Sequence, residues 1–271
     1  MKANNLTEWI KSLEINGINT FSVEMARNKF PDISEQNLKN SLQRLTAKNR
    51  IVSVYKGFYV IIPPHYAAKG VVPPTYYIDQ LMEYIGKPYY VSLLSAAEFF
   101  GAAHQRSQRF FVTTILPSTN VSKAKNKILS WLFRKDIPEE FLLKKNSEIG
   151  TIRFSNAELT AIDLVQYENT VGGLSRVATV LDELCEHCDF SKVNDELLGF
   201  TSVSAVQRLG YILENILEQK EQASVLYEKL LAYGKRLNYI ALSTRSKKEN
   251  MFRDSRWKIN INSEIETDDI W

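Results

Sequence analysis

Residues 32–62 read DISEQNLKNSLQRLTAKNRIVSVYKGFYVII, and the N-terminal fold follows from them. Leu38, Leu42 and Leu45 recur at spacings of four and three, which predicts a helix with one apolar stripe. Asp32, with Glu35 three residues later, reads as an aspartate version of the capping box, and the helix is expected to run to about Asn49. At 100° per residue the leucines turn Gln36, Asn40, Gln43, Arg44 and Ala47 to the opposite face, flanked by Lys39 and Lys48. That face holds amides and cations. Such side chains form paired hydrogen bonds to adenine or guanine edges and hold phosphates.

After this helix, RIVSVYKGFYVII contains two β-rich runs separated by Lys56-Gly57, which predicts a tight hairpin. Gly57 supplies the positive φ a tight turn favours, and Lys56 at the tip is placed to reach a flanking phosphate. Upstream, Asn5 to Asn16 predicts a first helix through Leu6, Trp9, Ile10 and Leu13. Ser22 is the expected N-cap of a second helix, Ser22 to Lys29, which Phe30-Pro31 closes. Helix, helix, basic helix and hairpin together predict a winged helix-turn-helix over residues 1–64. Arg44, Asn40 and Gln43 are assigned to base edges, Lys39, Lys48, Arg50 and Lys56 to phosphates, and Gln36 to the same DNA-binding face.

Residues 65–75 (HYAAKGVVPPT) read as a linker, and residues 76–271 as a larger, helix-rich domain of mixed α/β content, giving an α+β chain. In that domain the pattern predicts a helix over Tyr77 to Ile85 and a buried helix over Val91 to Ala103, capped by Ser92. Strands are expected at Phe110 to Leu116, Lys127 to Phe133, Phe141 to Lys145 and Gly150 to Phe154. Helices then dominate, over Asn156 to Tyr167, Leu174 to His187, Val193 to Leu198, Ser204 to Leu217 and Ala223 to Tyr233. A final strand, Trp257 to Ile261, is expected to return to the sheet ahead of an acidic tail.

Charge is unevenly distributed along the 271 residues, although the formal net charge is only +3. Between Gln36 and Ile78 there are six basic residues and no acid, and between Phe99 and Lys135 seven and no acid. The rest of the chain is net acidic. Two acid-free basic blocks are the footprint expected for a polyanionic partner. The second block suggests a further nucleic-acid surface through Arg106, Arg109, Lys123, Lys125 and Lys127. The apolar run Val91 to Ala103 is too short and too interrupted to span a bilayer, and MKANNLTEWIKSLE lacks the apolar core of a secretory signal. With two cysteines in all, a cytoplasmic protein without membrane association is expected.

The residues that could carry chemistry point to none. Cys185-Glu-His-Cys188 is a lone CxxC, and tetrahedral zinc needs four ligands. The pair ends a helical pattern, where packing is the simpler role, so no metal site is expected. Glu98, His104 and Gln105 suggest an acid–base set, but a histidine capping or closing the helix that ends near Ala103 is the better reading. Gly172-Gly173 lacks the Lys-Ser or Lys-Thr of a phosphate-binding loop. No catalytic residue and no cofactor is expected, and the chain does not read as an enzyme.

Two further segments carry a resemblance. YYVSLLSAAEFFGAAHQRSQRFFV is similar to the small-residue helix, Ala-Glu step, His-Gln pair and strand of the AbiEi family, antitoxins of type IV toxin–antitoxin (abortive infection, phage defence) systems. SNAELTAIDLVQYENTVGGLSRVATVLDEL resembles that family's acidic helix, Gly-Gly turn and following helix. The resemblance implies an autorepressor that binds repeated double-stranded DNA sites upstream of its own operon. It also implies neutralisation of a nucleotidyltransferase-like toxin without a stable complex, by a monomer or weak dimer. Two other readings remain open from the residues: a stand-alone regulator with an effector-binding C-terminal domain, and a nucleic-acid-processing enzyme.

Overall fold

The computed structural model describes residues 5–68, 70–102, 107–118, 128–246 and 252–266. By compactness the chain divides into two units, residues 1–90, 112–137 and 144–153, and residues 91–111, 138–143 and 154–271. The fold is α+β, as expected.

The first unit begins with α1 (Leu6–Ile15), β1 (Thr20–Ser22), α2 (Val23–Lys29) and α3 (Glu35–Ala47), followed by β2 (Ile51–Tyr55) and β3 (Phe58–Ile61). Asn5 and Ser22 cap α1 and α2 by accepting from the backbone N–H of Glu8 and Met25, each at 3.0 Å. Leu6, Trp9, Ile10 and Leu13 of α1 pack with Leu38, Leu42 and Leu45 of α3 in one core that also takes in Phe21, Ile51 and Ile61. Each such side chain contributes roughly 1.5–3 kcal/mol by leaving water, enough to hold a short helix that would be marginal alone. β1, absent from the sequence reading, pairs antiparallel with β3 in a sheet of order β1-β3-β2, with Phe21 opposite Tyr59. Three residues are too few to show a period of two, which is why it was illegible. Lys56-Gly57 forms the hairpin turn, with Gly57 at φ +79°.

The segment expected as a linker holds a short helix, α4 (Pro64–Ala67), and a 3-10 turn at Pro74–Tyr76, before α5 (Ile78–Ile85). Next comes β4 (Tyr89–Val91), and α6 spans only Leu93–Ala97, running into a 3-10 turn at Glu98–Phe100. A single helix over Val91 to Ala103 is therefore not formed, because Val91 belongs to a strand and Gly101, at φ +84°, ends the turn. Ser92 stands at the N-cap position without a side-chain capping bond. Ser95 Oγ instead accepts from the backbone N–H of Phe111 at 3.0 Å. Its small side chain, with Ala96 and Ala97, lets α6 lie fully buried.

The remaining strands are β5 (Phe110–Ile115), β6 (Leu129–Arg134), β7 (Leu142–Ser147) and β8 (Gly150–Ser155). They form one five-stranded sheet in the order β6-β5-β4-β8-β7, with β4 and β8 parallel.

In the second unit α7 (Ala157–Gln166) is buried on nearly every side and packs with α9 (Leu174–Leu184) and α11 (Val203–Asn215). Between them lie α8 (Glu168–Val171) and α10 (Asp195–Phe200), and α12 (Lys220–Ala232) follows. The final strand does not return to the main sheet. β11 (Ile259–Ile261) pairs antiparallel with β10 (Phe252–Asp254) and parallel with β9 (Ile240–Ala241), in a separate three-stranded sheet. Its anchor is Trp257, fully buried, whose indole N–H donates to Glu214 Oε2 at 2.5 Å. Gln207 Nε2 donates to the Trp257 carbonyl at 2.7 Å, and the Tyr227 ring meets the indole edge-on at 5.0 Å.

Gly210 of α11 lies directly under that indole, where a Cβ would overlap the ring. Gly210→Ala is therefore expected to lower stability by about 1–3 kcal/mol, although alanine favours a helix. Urea unfolding reads the effect, and an unchanged or raised midpoint would show that Trp257 is not seated on α11.

Candidate nucleic-acid interface

The position of α3 is set at its N-terminus by Ser34, whose Oγ accepts from the backbone N–H of Asn37 at 3.3 Å. Asp32, expected as the cap from the sequence, lies two residues before it. Ser34 and Asp32 are both ordinary capping residues two positions apart, so composition alone does not choose between them. With the leucine stripe buried, Gln36, Lys39, Asn40, Gln43, Arg44 and Lys48 are all exposed, as their phase demands.

These side chains do not form one uniform surface. Gln36 Nε2 donates to Asn40 Oδ1 at 2.9 Å, aligning two amides one turn apart. The Arg44 guanidinium folds back along its own helix, where Nε donates to the Asn40 carbonyl at 3.4 Å and Nη2 to Ser41 Oγ at 3.3 Å. Arg50, beyond the helix, lies 3.6 Å from Glu14 of α1. Lys56 is exposed at the hairpin tip.

Between α3 and the hairpin lies an open cleft of about 740 Å³. Gln36, Lys39 and Gln43 line it from α3, whereas Asn40 and Arg44 lie one step round the helix, outside the lining. Arg27, Glu35, Thr46, Ser53 and Tyr59 also line it, and the sequence reading assigned none of them to the site. Arg27 comes from α2, and its Nη2 lies 2.7 Å from Glu35 Oε1. No helical period links two residues on different helices, so the pair is invisible to pattern reading. Tyr59 stacks on Phe21 at 5.4 Å, and burial raises its phenol pKa, keeping the proton that makes it a donor.

Packing from α5 supports the hairpin. The Tyr84 hydroxyl donates to the Lys56 carbonyl at 3.5 Å, and its ring lies 5.2 Å from Phe58 and 6.1 Å from Tyr55. The φ of +79° at Gly57 favours glycine in the turn, and a Cβ there would come within 2.9 Å of the Tyr84 oxygen and displace that hydroxyl.

Of the second basic block, Arg109 is exposed just before β5, and its backbone N–H donates to Ser107 Oγ at 3.2 Å. Arg106, Lys123, Lys125 and Lys127 lie outside the described residues. Arg134, in the same acid-free run, is buried and adds no surface charge there.

The other described sequence candidates are engaged in local structure. Glu98 Oε1 accepts from the backbone N–H of Ser107 at 3.1 Å, and His104 and Gln105 lie outside the described residues. Gly172 and Gly173, at φ +110° and +100°, make the junction between α8 and α9. Cys185 and Cys188 are free thiols, both buried where α9 ends in a 3-10 turn. A hydrogen bond with Cys185 and then burial push the Cys188 thiol far above its ordinary range. It stays protonated and unreactive. Among the described residues no cluster of three metal-ligating side chains occurs, and no helix is long and apolar enough to cross a membrane.

The structure thus sets an exposed amide-and-cation helix beside a lysine-tipped hairpin, followed by a mixed α/β, helix-rich region. The sequence of the larger part then gives a match: the family model for the AbiEi antitoxin C-terminal domain matches residues 90–215. The resemblance seen in YYVSLLSAAEFFGAAHQRSQRFFV and SNAELTAIDLVQYENTVGGLSRVATVLDEL is thereby borne out. Among solved structures the chain is similar to the RV2827C protein from Mycobacterium tuberculosis. The TM-score is 0.65 at 15% identity, covering 93% of this chain and 89% of that one. At that identity the likeness concerns the fold. No curated protein sequence matches the chain.

The capping geometry has a direct test. Ser34→Ala is expected to cost about 0.5–2 kcal/mol in urea unfolding. Asp32→Ala should stay within about 0.5 kcal/mol, as for other surface changes. The reverse order would place the start of α3 at Asp32 instead.

Proposed function

We propose that this protein is a DNA-binding autorepressor and the antitoxin of a type IV toxin–antitoxin system. One observation carries the DNA-binding half: exposed Gln36, Lys39, Asn40, Gln43, Arg44 and Lys48 on α3, beside a hairpin tipped by exposed Lys56. In this reading residues 1–64 are a winged helix-turn-helix, α3 lies in the major groove and the hairpin is its wing. The antitoxin half rests on the domain matched at residues 90–215, whose family is one of antitoxins rather than enzymes. The partners are double-stranded DNA repeats upstream of the operon and a nucleotidyltransferase-like toxin, neutralised without a stable complex. The protein acts in the cytoplasm as a monomer or weak dimer on paired half-sites.

Within the interface the exposed cations have separate tasks. Lys39 faces the cleft and Lys56 the wing tip, and both hold phosphates. Lys48, at the C-cap of α3, and Arg50, near Glu14, hold the flanking backbone. Arg44 leaves its intrahelical contacts to meet a base edge beside Asn40 and Gln43. Those contacts are long, at 3.3 and 3.4 Å, so replacing them with a bidentate pair to guanine is favourable.

Fluorescence anisotropy with a duplex from upstream of the chain's own gene, read at several salt concentrations, tests the DNA half. Lys39→Ala and Lys56→Ala should each weaken binding to all sequences alike and lower the salt slope by about one unit. Arg44→Ala should cost roughly 1–3 kcal/mol and relax preference at one base position. Absence of binding by the unaltered protein at modest salt would overturn this half. Co-expression with the adjacent gene tests the other: restored growth supports an antitoxin, and unrelieved toxicity contradicts it.

A further inference from the structure

Among the described residues that line the cleft, Glu35 is the single acid. It is the first residue of α3, its side chain is 82% exposed, and Arg27 of α2 holds its Oε1 at 2.7 Å. A carboxylate facing DNA repels phosphate, so its presence on a surface otherwise made of amides and cations needs a reason. The positive end of the helix dipole favours an acid there, but an exposed ion pair of this kind stabilises the fold very little. What the pair does achieve is orientation. Arg27 takes one carboxylate oxygen and leaves Oε2 as an acceptor at the N-terminal end of α3, the part of a recognition helix that meets base edges.

An ionised carboxylate only accepts, so it needs a donor from the duplex. In the major groove the base-edge donors are the amino groups of cytosine and adenine. Adenine presents its amino group between its own N7 and the thymine O4, two acceptors that repel a carboxylate, whereas cytosine N4 has an acceptor on one side only, the guanine O6. We propose that Glu35 is a specificity-determining residue that accepts from the N4 amino group of one cytosine, and that Arg27 is its positioning residue. This rests on the DNA-binding reading above and adds to it a base and a position. Lys39, one turn further along the same cleft wall, balances the carboxylate's charge toward the adjoining phosphates.

The experiment uses the full chain, the upstream duplex and every single-base variant of it, at two salt concentrations. Glu35→Gln should lose about ten-fold discrimination at one C·G position, with preference there moving toward adenine, since a glutamine amide matches its N6 and N7. Arg27→Gln should weaken discrimination at that same position, and Arg27→Lys, which keeps a cation beside the carboxylate, should restore part of it. Circular dichroism and melting of each variant confirm that the fold persists. If Glu35→Gln tightens binding to every duplex equally and leaves all base preferences intact, Glu35 is merely a repelling charge and the inference falls. If the unaltered protein binds none of the duplexes, the DNA-binding reading itself has failed, which is a different result.

Discussion

The N-terminal architecture depends on the burial of three leucines. Leu38, Leu42 and Leu45 pack against Trp9, Ile10 and the other apolar side chains of one core, and this fixes the rotation of α3 about its axis. A helix with one face pinned has no freedom in what it shows on the other. The amide and cationic residues are therefore presented outward by packing energy, and their own interactions contribute little to holding them there. The hairpin is placed by the same core, through Ile51 and Ile61, and its turn is braced by Tyr84. The exposed face and its scaffold are one object in this sense, since loosening the leucine contacts disperses that face.

The second unit solves a different problem, because its central helix α7 is enclosed on nearly all sides and no amphipathic face sets its direction. Polar side chains set it instead. Glu158 Oε1 on α7 accepts from the backbone N–H of Asp189 at 2.8 Å, and just beyond it Glu168, the first residue of α8, accepts from both the backbone N–H and the hydroxyl of Thr244, at 2.8 and 2.7 Å. Both carboxylates are buried, and each oxygen so engaged avoids the large penalty of an unsatisfied buried acceptor. Beyond residue 215, where the matched family domain ends, the chain returns to this unit through Trp257 and the small sheet around it. Sequence similarity and packing therefore delimit the region differently.

What was legible in the sequence is what periodicity encodes. The three helices ahead of the hairpin, the hairpin with its glycine and the outward phase of α3 follow from spacing, caps and turn residues. The features that escaped share a physical origin. β1 is too short for a period, and Ser34 and Asp32 offer equivalent capping chemistry. The stretch VSLLSAAEFFGAA is apolar throughout, which hides the change from strand to helix to 3-10 turn within it. The ion pair of Arg27 with Glu35 joins two helices across a turn, and β11 chooses its partners through a tryptophan seat on Gly210. Such tertiary choices leave no mark on local pattern. In the candidate site the exposed face of α3 was foreseen, whereas the cleft beside it, with Arg27, Ser53 and Tyr59, emerged only when α2 and the hairpin were brought alongside.

In the function proposed above, α3 and the hairpin together cover duplex DNA. Hydrogen–deuterium exchange of the full chain, alone and with a saturating duplex from upstream of its own gene, tests this most directly. Slowed exchange is expected in residues 35–48 and 51–61, with exchange in the helices of residues 157–232 unchanged. Protection confined to the second unit, with α3 and the hairpin exchanging as they do in the free protein, would contradict it.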